Sequence, residues 1–88
     1  MLHLRLVVPP ELSPTVLDLL GRASDVTNLW HLPGGAVKPA GDLISCDVAK
    51  EQGTAILDEL RDLQIHERGS IAVENVDASL SRVASEAE

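Results

Sequence analysis

Leu2-His3-Leu4-Arg5-Leu6-Val7-Val8 is the stretch on which the fold turns. Apolar and polar residues alternate, so Leu2, Leu4, Leu6 and Val8 share one face of a strand while His3 and Arg5 share the other. Pro9-Pro10 has no amide hydrogens to give to a ladder, and it ends the strand. Immediately afterwards Leu12-Ser13-Pro14 opens a helix: Ser13 is placed to cap, Pro14 loses no hydrogen bond in the first turn, and Leu12 with Leu17 makes a hydrophobic staple. Val16, Leu17, Leu20 and Ala23 then form the buried stripe of a helix over about residues 14–23.

Further along, Val26 to Leu32 is rich in strand formers, with Asn28, Trp30 and Leu32 pointing one way and Leu29 and His31 the other. Pro33-Gly34-Gly35 reads as a turn, and residues 36–42, with Pro39 and Gly41, as a loop or a frayed hairpin arm. A third strand follows over residues 43–48, placing Ile44, Cys46 and Val48 on one face and Ser45 and Asp47 on the other. A second helix is expected over residues 50–63, with Ile56, Leu60 and Leu63 inward, Gly53 fraying its first turn, and Asp58 and Arg61 paired on the wet face. Ile65 begins the last strand region, interrupted at Glu67-Arg68-Gly69 and continued by residues 70–74.

The expected order βαββαβ is an α+β architecture, the ferredoxin-like split βαβ fold. It has a four-stranded antiparallel sheet ordered 4-1-3-2, two helices on one face and the other face open. Residues 1–78 make this domain, and residues 79–88 are expected to be a polar linker or tail. Leu4 and Leu60 belong to the core.

Composition removes several function classes. The 88 residues are 44% hydrophobic and 24% charged, ordinary for one globular domain, but only 1% aromatic, so the core is aliphatic. A single cysteine excludes an intramolecular disulfide and any multi-cysteine metal or iron–sulfur centre within one chain. The net charge of −7, with few basic residues and one Trp, argues against nucleic acid and anionic membrane surfaces. No apolar run approaches the ~18 residues of a membrane span, and no signal peptide is visible.

Few residues carry chemistry. His3, His31 and Asp47 are candidate metal ligands if the strands bring both histidines to the open face near Cys46, but no HxH, HExxH or CxxC spacing enforces convergence. Cys46, between Ile44 and Val48 and with no basic neighbour, reads as a buried structural thiol. Lys38 is followed by Pro39, so the Gly-rich segment is a hairpin connection and not a phosphate loop. No Gly-x-Ser-x-Gly element is present. Arg5 and Asn28 are nominal counterparts of an acylphosphatase-type pair, yet Pro9-Pro10 stands where such an enzyme has its anion loop. No catalytic residue and no cofactor is assigned. Arg5, Trp30 and Leu32 are the candidate interface residues, since an uncovered sheet face carrying the chain's one aromatic suits association; packing in the core or within the hairpin is the other reading of Trp30.

Four blocks carry a resemblance. They are Met1-Leu-His-Leu-Arg-Leu-Val-Val-Pro-Pro-Glu-Leu, Asp25-Val-Thr-Asn-Leu, Lys38-Pro-Ala-Gly-Asp-Leu followed by Asp47-Val-Ala, and Arg68-Gly-Ser-Ile-Ala-Val-Glu. In that order, over roughly residues 1–80, the chain resembles the amino-terminal soluble region of the bacterial domain-of-unknown-function 389 membrane protein family. The resemblance implies a non-catalytic regulatory or assembly domain on the cytoplasmic side of the inner membrane. It implies that the native chain continues past Glu88 into a multi-pass membrane region, with a stand-alone member as the alternative, and that the fragment alone is soluble. The expected partners are further copies of the chain, through the open sheet face or an edge strand, and that membrane region. A small-ligand or metal-binding sensor is the alternative.

Overall fold

The computed structural model describes residues 1–76. The expected tail at 79–88, and with it the boundary drawn at 78, lies outside the described residues. The chain is α+β: β1 (Leu2–Val8), α1 (Ser13–Arg22), β2 (Val26–Val37), β3 (Ala40–Val48), α2 (Gly53–Asp62), α3 (Ile65–Arg68) and β4 (Ser70–Asn75). The sheet is antiparallel throughout and ordered β2-β3-β1-β4, the expected order read from the opposite edge.

Alternation in β1 does what it promises. Leu4, Leu6 and Val8 are fully buried, and across the ladder Leu4 pairs with Cys46 and Leu6 with Ile44. These side chains join Val16, Leu20, Ile56 and Leu60 in one aliphatic core between the sheet and the two main helices.

Four local expectations are corrected. Ser13 does not cap α1; a 3-10 turn over Pro10–Leu12 precedes the helix, Leu12 occupies the cap position, and the Ser13 hydroxyl is used elsewhere. Pro33-Gly34-Gly35 is not the hairpin turn. β2 runs through it to Val37, the chain reverses at Lys38 and Pro39, and residues 40–42 belong to β3. An edge strand tolerates Pro33 because no neighbour needs its amide hydrogen, and Gly34 at φ +66 absorbs the irregularity between Leu32 and Ala36.

The second helix starts later than expected, after a 3-10 turn over Lys50–Gln52. Gly53, its first residue, is buried against β1. A Cβ there would come within 2.4 Å of Leu2 Cδ1, the end of a flexible side chain that would have to shift to admit it. Asp58 and Arg61 do pair, at 4.0 Å. Finally, Ile65 does not open a strand. Gln64 adopts φ 60 and turns the chain into the single helical turn α3, which drops the fully buried Ile65 into the core and makes the element order βαββααβ.

A two-sided sheet and its candidate functional site

The sheet face turned away from α1 and α2 is organised in three rows across the strands. Taken from β2 to β4, they are Thr27–Asp47–His3–Glu74, Trp30–Ser45–Arg5–Ala72 and Leu32–Leu43–Val7–Ser70. The first row is polar, the third mostly apolar, and the second joins Trp30 to Arg5 over Ser45. No described helix lies on this face. Ser45 and Asp47 are nevertheless nearly closed from solvent, because each sits on an interior strand between larger neighbours in its own row.

In the first row the Asp47 carboxylate is an acceptor only, so Nδ1–H of His3 donates to its Oδ1 at 2.8 Å. Asn28 Nδ2 donates to Oδ2, also at 2.8 Å. Asn28 has φ 51, a conformation Asn adopts more readily than most residues, and it sits in a bulge. Between the Thr27–Asp47 and Trp30–Ser45 pairs, β2 advances three residues while β3 advances two. That one extra residue reverses the facing of everything after it. Trp30 consequently faces outward, 59% exposed, with Leu32 48% exposed one row further on. Arg5 is exposed between them and β4, with no ion pair or hydrogen bond among the described residues.

The same bulge separates the histidines. His31 pairs with Ile44 on the helix-facing side, where its Nε2–H donates to Asp42 Oδ2 at 3.0 Å. Asp42 also accepts from the Ser13 hydroxyl at 2.7 Å and from the Gly34 amide at 2.8 Å. These bonds, led by that of Ser13 and followed by those of Gly34 and His31, hold the Asp42 carboxyl down to about 2. This cluster ties the start of α1 to the bulged arm of β2. Its order is Ser–Asp–His, with the hydroxyl bonded to the carboxylate and not to the imidazole, so the base that meets Ser13 is a carboxylate held near 2, a weak one.

The candidate set His3, His31 and Asp47 is thus split: His3 and Asp47 meet, and His31 is on the opposite side of the sheet. Two ligands fall short of the three or four a zinc-type site uses. Among the described residues no group of three or more His, Cys, Asp or Glu side chains is placed to hold a metal ion. Cys46 is fully buried, and burial, with a smaller contribution from the Asp47 charge, pushes its thiol up to about 12. Arg5 and Asn28 share the open face, but the Asn28 amide is engaged by Asp47.

Asp42 was not among the candidate residues, although a signal for it exists. It has the same parity as Ile44, Cys46 and Val48, and a carboxylate on an apolar face requires partners. No helix among the described residues is long and apolar enough to cross a membrane. No protein-family model, no curated protein and no solved structure matches this chain.

Proposed function

We propose that this chain is a non-catalytic assembly domain that self-associates through the open face of its sheet. One observation carries the reading: the bulge at Asn28 turns the only aromatic residue outward, beside exposed Leu32 and unpaired Arg5, on a face that no described helix covers. Exposed Trp with an adjacent Arg is the composition of an association hot spot. The half-buried Leu43 and Val7 extend the apolar third row toward β1. A second copy meeting this face about a two-fold axis presents the same patch, which closes the assembly without leaving a growing edge.

At the finer level we read the fold as ferredoxin-like with one added helical turn, a scaffold on which sheet-to-sheet and edge-to-edge pairing are both feasible. The resemblance to the domain-of-unknown-function 389 family supports placing the domain on the cytoplasmic side of a multi-pass bacterial membrane protein, where association of soluble domains would couple the membrane parts. Reading the gene beyond the codon for Glu88 tests that placement, with a continuing frame that encodes apolar helices as the expected result.

Sedimentation velocity on the 88-residue chain tests self-association. A dimer or larger species is expected at micromolar concentration, reverting to monomer in Trp30→Ser/Leu32→Ser with unchanged far-UV circular dichroism. A wild-type chain that stays monomeric at high micromolar concentration refutes the proposal.

A further inference from the structure

The helix-covered side of the sheet has its own uncovered feature. α1 and α2 stand apart along their length and leave a groove of about 520 Å³ between them. Its floor is apolar: Leu19 of α1 with Ala23 just past that helix, and Ile56 of α2 with Leu63 just past that one. Leu19 and Leu63 are only half-buried, so part of their surface still meets water.

The groove walls are charged, and unevenly. On α1, Asp18 and Arg22 neutralise one another at 2.8 Å. On α2, Glu59 and Asp62 have no ion-pair partner among the described residues. They stand at i and i+3, where like charges repel, and they lie in the last turn of α2, where the helix dipole disfavours negative charge. Both terms act against the free helix, and both are relieved by a cation placed over the groove.

We propose that this groove is the docking site for a basic amphipathic helix of a partner protein. Ten-residue helices are about 15 Å long, so the groove accommodates about ten residues of a third helix, with apolar anchors at i, i+3 or i+4 and i+7 on the floor. Lysine or arginine on the flank of that helix meets Glu59 and Asp62. Charge selects this occupant over the two nearest to hand. A second copy carries a net charge of −7. The chain's own residues 77–88 hold Asp77, Glu86 and Glu88 against Arg82 alone. Neither complements an acidic wall.

The test uses the full 88-residue chain and a labelled amphipathic Leu/Lys peptide of about fourteen residues. Fluorescence anisotropy reads the affinity. Glu59→Lys/Asp62→Lys is expected to weaken binding at least about tenfold. Leu19→Asn is expected to weaken it comparably, with circular dichroism showing both variants folded. Trp30→Ser/Leu32→Ser on the opposite face should bind the peptide as wild type does, while the charge-reversed groove variant should keep the oligomeric state of wild type. This separates failure of the groove from failure of the self-association surface. The proposal is overturned if no binding is seen up to about 1 mM peptide. It is equally overturned if a scrambled peptide without helical period, or a Leu/Glu peptide, binds as tightly, or if the groove variants bind undiminished.

Discussion

Replacing Leu60 by Ala tests the packing on which every surface described above depends. Leu60 is fully buried, one turn beyond Ile56 on the inward face of α2. Truncation removes apolar contact and leaves a cavity in a core whose other members are aliphatic side chains and Cys46. Such a change in a closely packed site costs about 2–5 kcal/mol. A domain of this size has about 4–13 kcal/mol of total stability at 0.05–0.15 kcal/mol per residue, so the loss is a large part of the whole. At about 4–8 °C per kcal/mol, the melting temperature should fall by about 10 °C or more. Far-UV circular dichroism is the appropriate probe, since Trp30 is 59% exposed and reports poorly on the core. Leu57, half-buried on the same helix, supplies the internal standard and should lose clearly less on truncation. A Leu60→Ala cost below about 1 kcal/mol, or a cost no greater than that of Leu57→Ala, would refute this placement of α2.

Two further outcomes follow from the titrating groups. Asp42 is held near 2 when folded against an ordinary value of 3.8, so its contribution to stability is complete above about pH 4 and is lost as pH falls toward 2. Acid unfolding curves of wild type and Asp42→Asn should therefore converge at the low end of that window; parallel curves would contradict the bonds from Ser13, Gly34 and His31. Cys46, with its thiol near 12 and no exposed surface, should resist a thiol-specific reagent at pH 8 in the native protein and react only in denaturant. Rapid labelling under native conditions would show that β3 opens or that the side chain is misplaced.

How far the sequence could be read is visible in two strands. β1 was legible because alternation leaves a single face on which to bury Leu2, Leu4, Leu6 and Val8; its pairing of Leu4 with Cys46 and Leu6 with Ile44 was not, since a two-residue slip would keep the same faces inward. β2 was legible only at its beginning. Pro-Gly-Gly is a turn signal by every local criterion, and what overrides it is tertiary: the edge position that forgives Pro33 and the Asp42 carboxylate that receives the Gly34 amide. α3 was missed for a related reason. Four residues carry no periodicity, and the left-handed Gln64 that redirects the chain has no glycine to announce it. Of the site, Trp30, Leu32 and Arg5 were readable as one face. The separation of His3 from His31 is contained in that same reading, since His31 faces opposite Trp30 and Leu32; the Asp42 cluster was not readable, since it depends on the irregular pairing between Leu32 and Ala36. The groove was missed because Leu19 falls outside the stripe of Val16, Leu17, Leu20 and Ala23.

The bulge at Asn28 deserves the last test because it determines which side of the sheet bears the aromatic. In an unbroken ladder with Thr27 opposite Asp47, Leu29 would stand opposite Ser45 and face outward, and Trp30 would stand opposite Ile44 and face the helices. The actual register exchanges them, leaving Leu29 packed against the core and His31 free to reach Asp42. Asn28 makes this possible with a left-handed backbone and a side-chain bond to Asp47, which His3 steadies from the next strand. Glycine at 28 keeps the backbone and loses the bond; valine loses both, and a β-branched residue in that conformation costs about 1–2 kcal/mol more. Asn28→Gly should therefore keep the red-shifted emission of an exposed Trp30 and the wild-type sedimentation behaviour, while Asn28→Val should lower the melting temperature and disturb both. If Asn28→Val left stability, emission and association all unchanged, the outward facing of Trp30 would not depend on this bulge, and the proposed open-face interface would lose the structural device on which it rests.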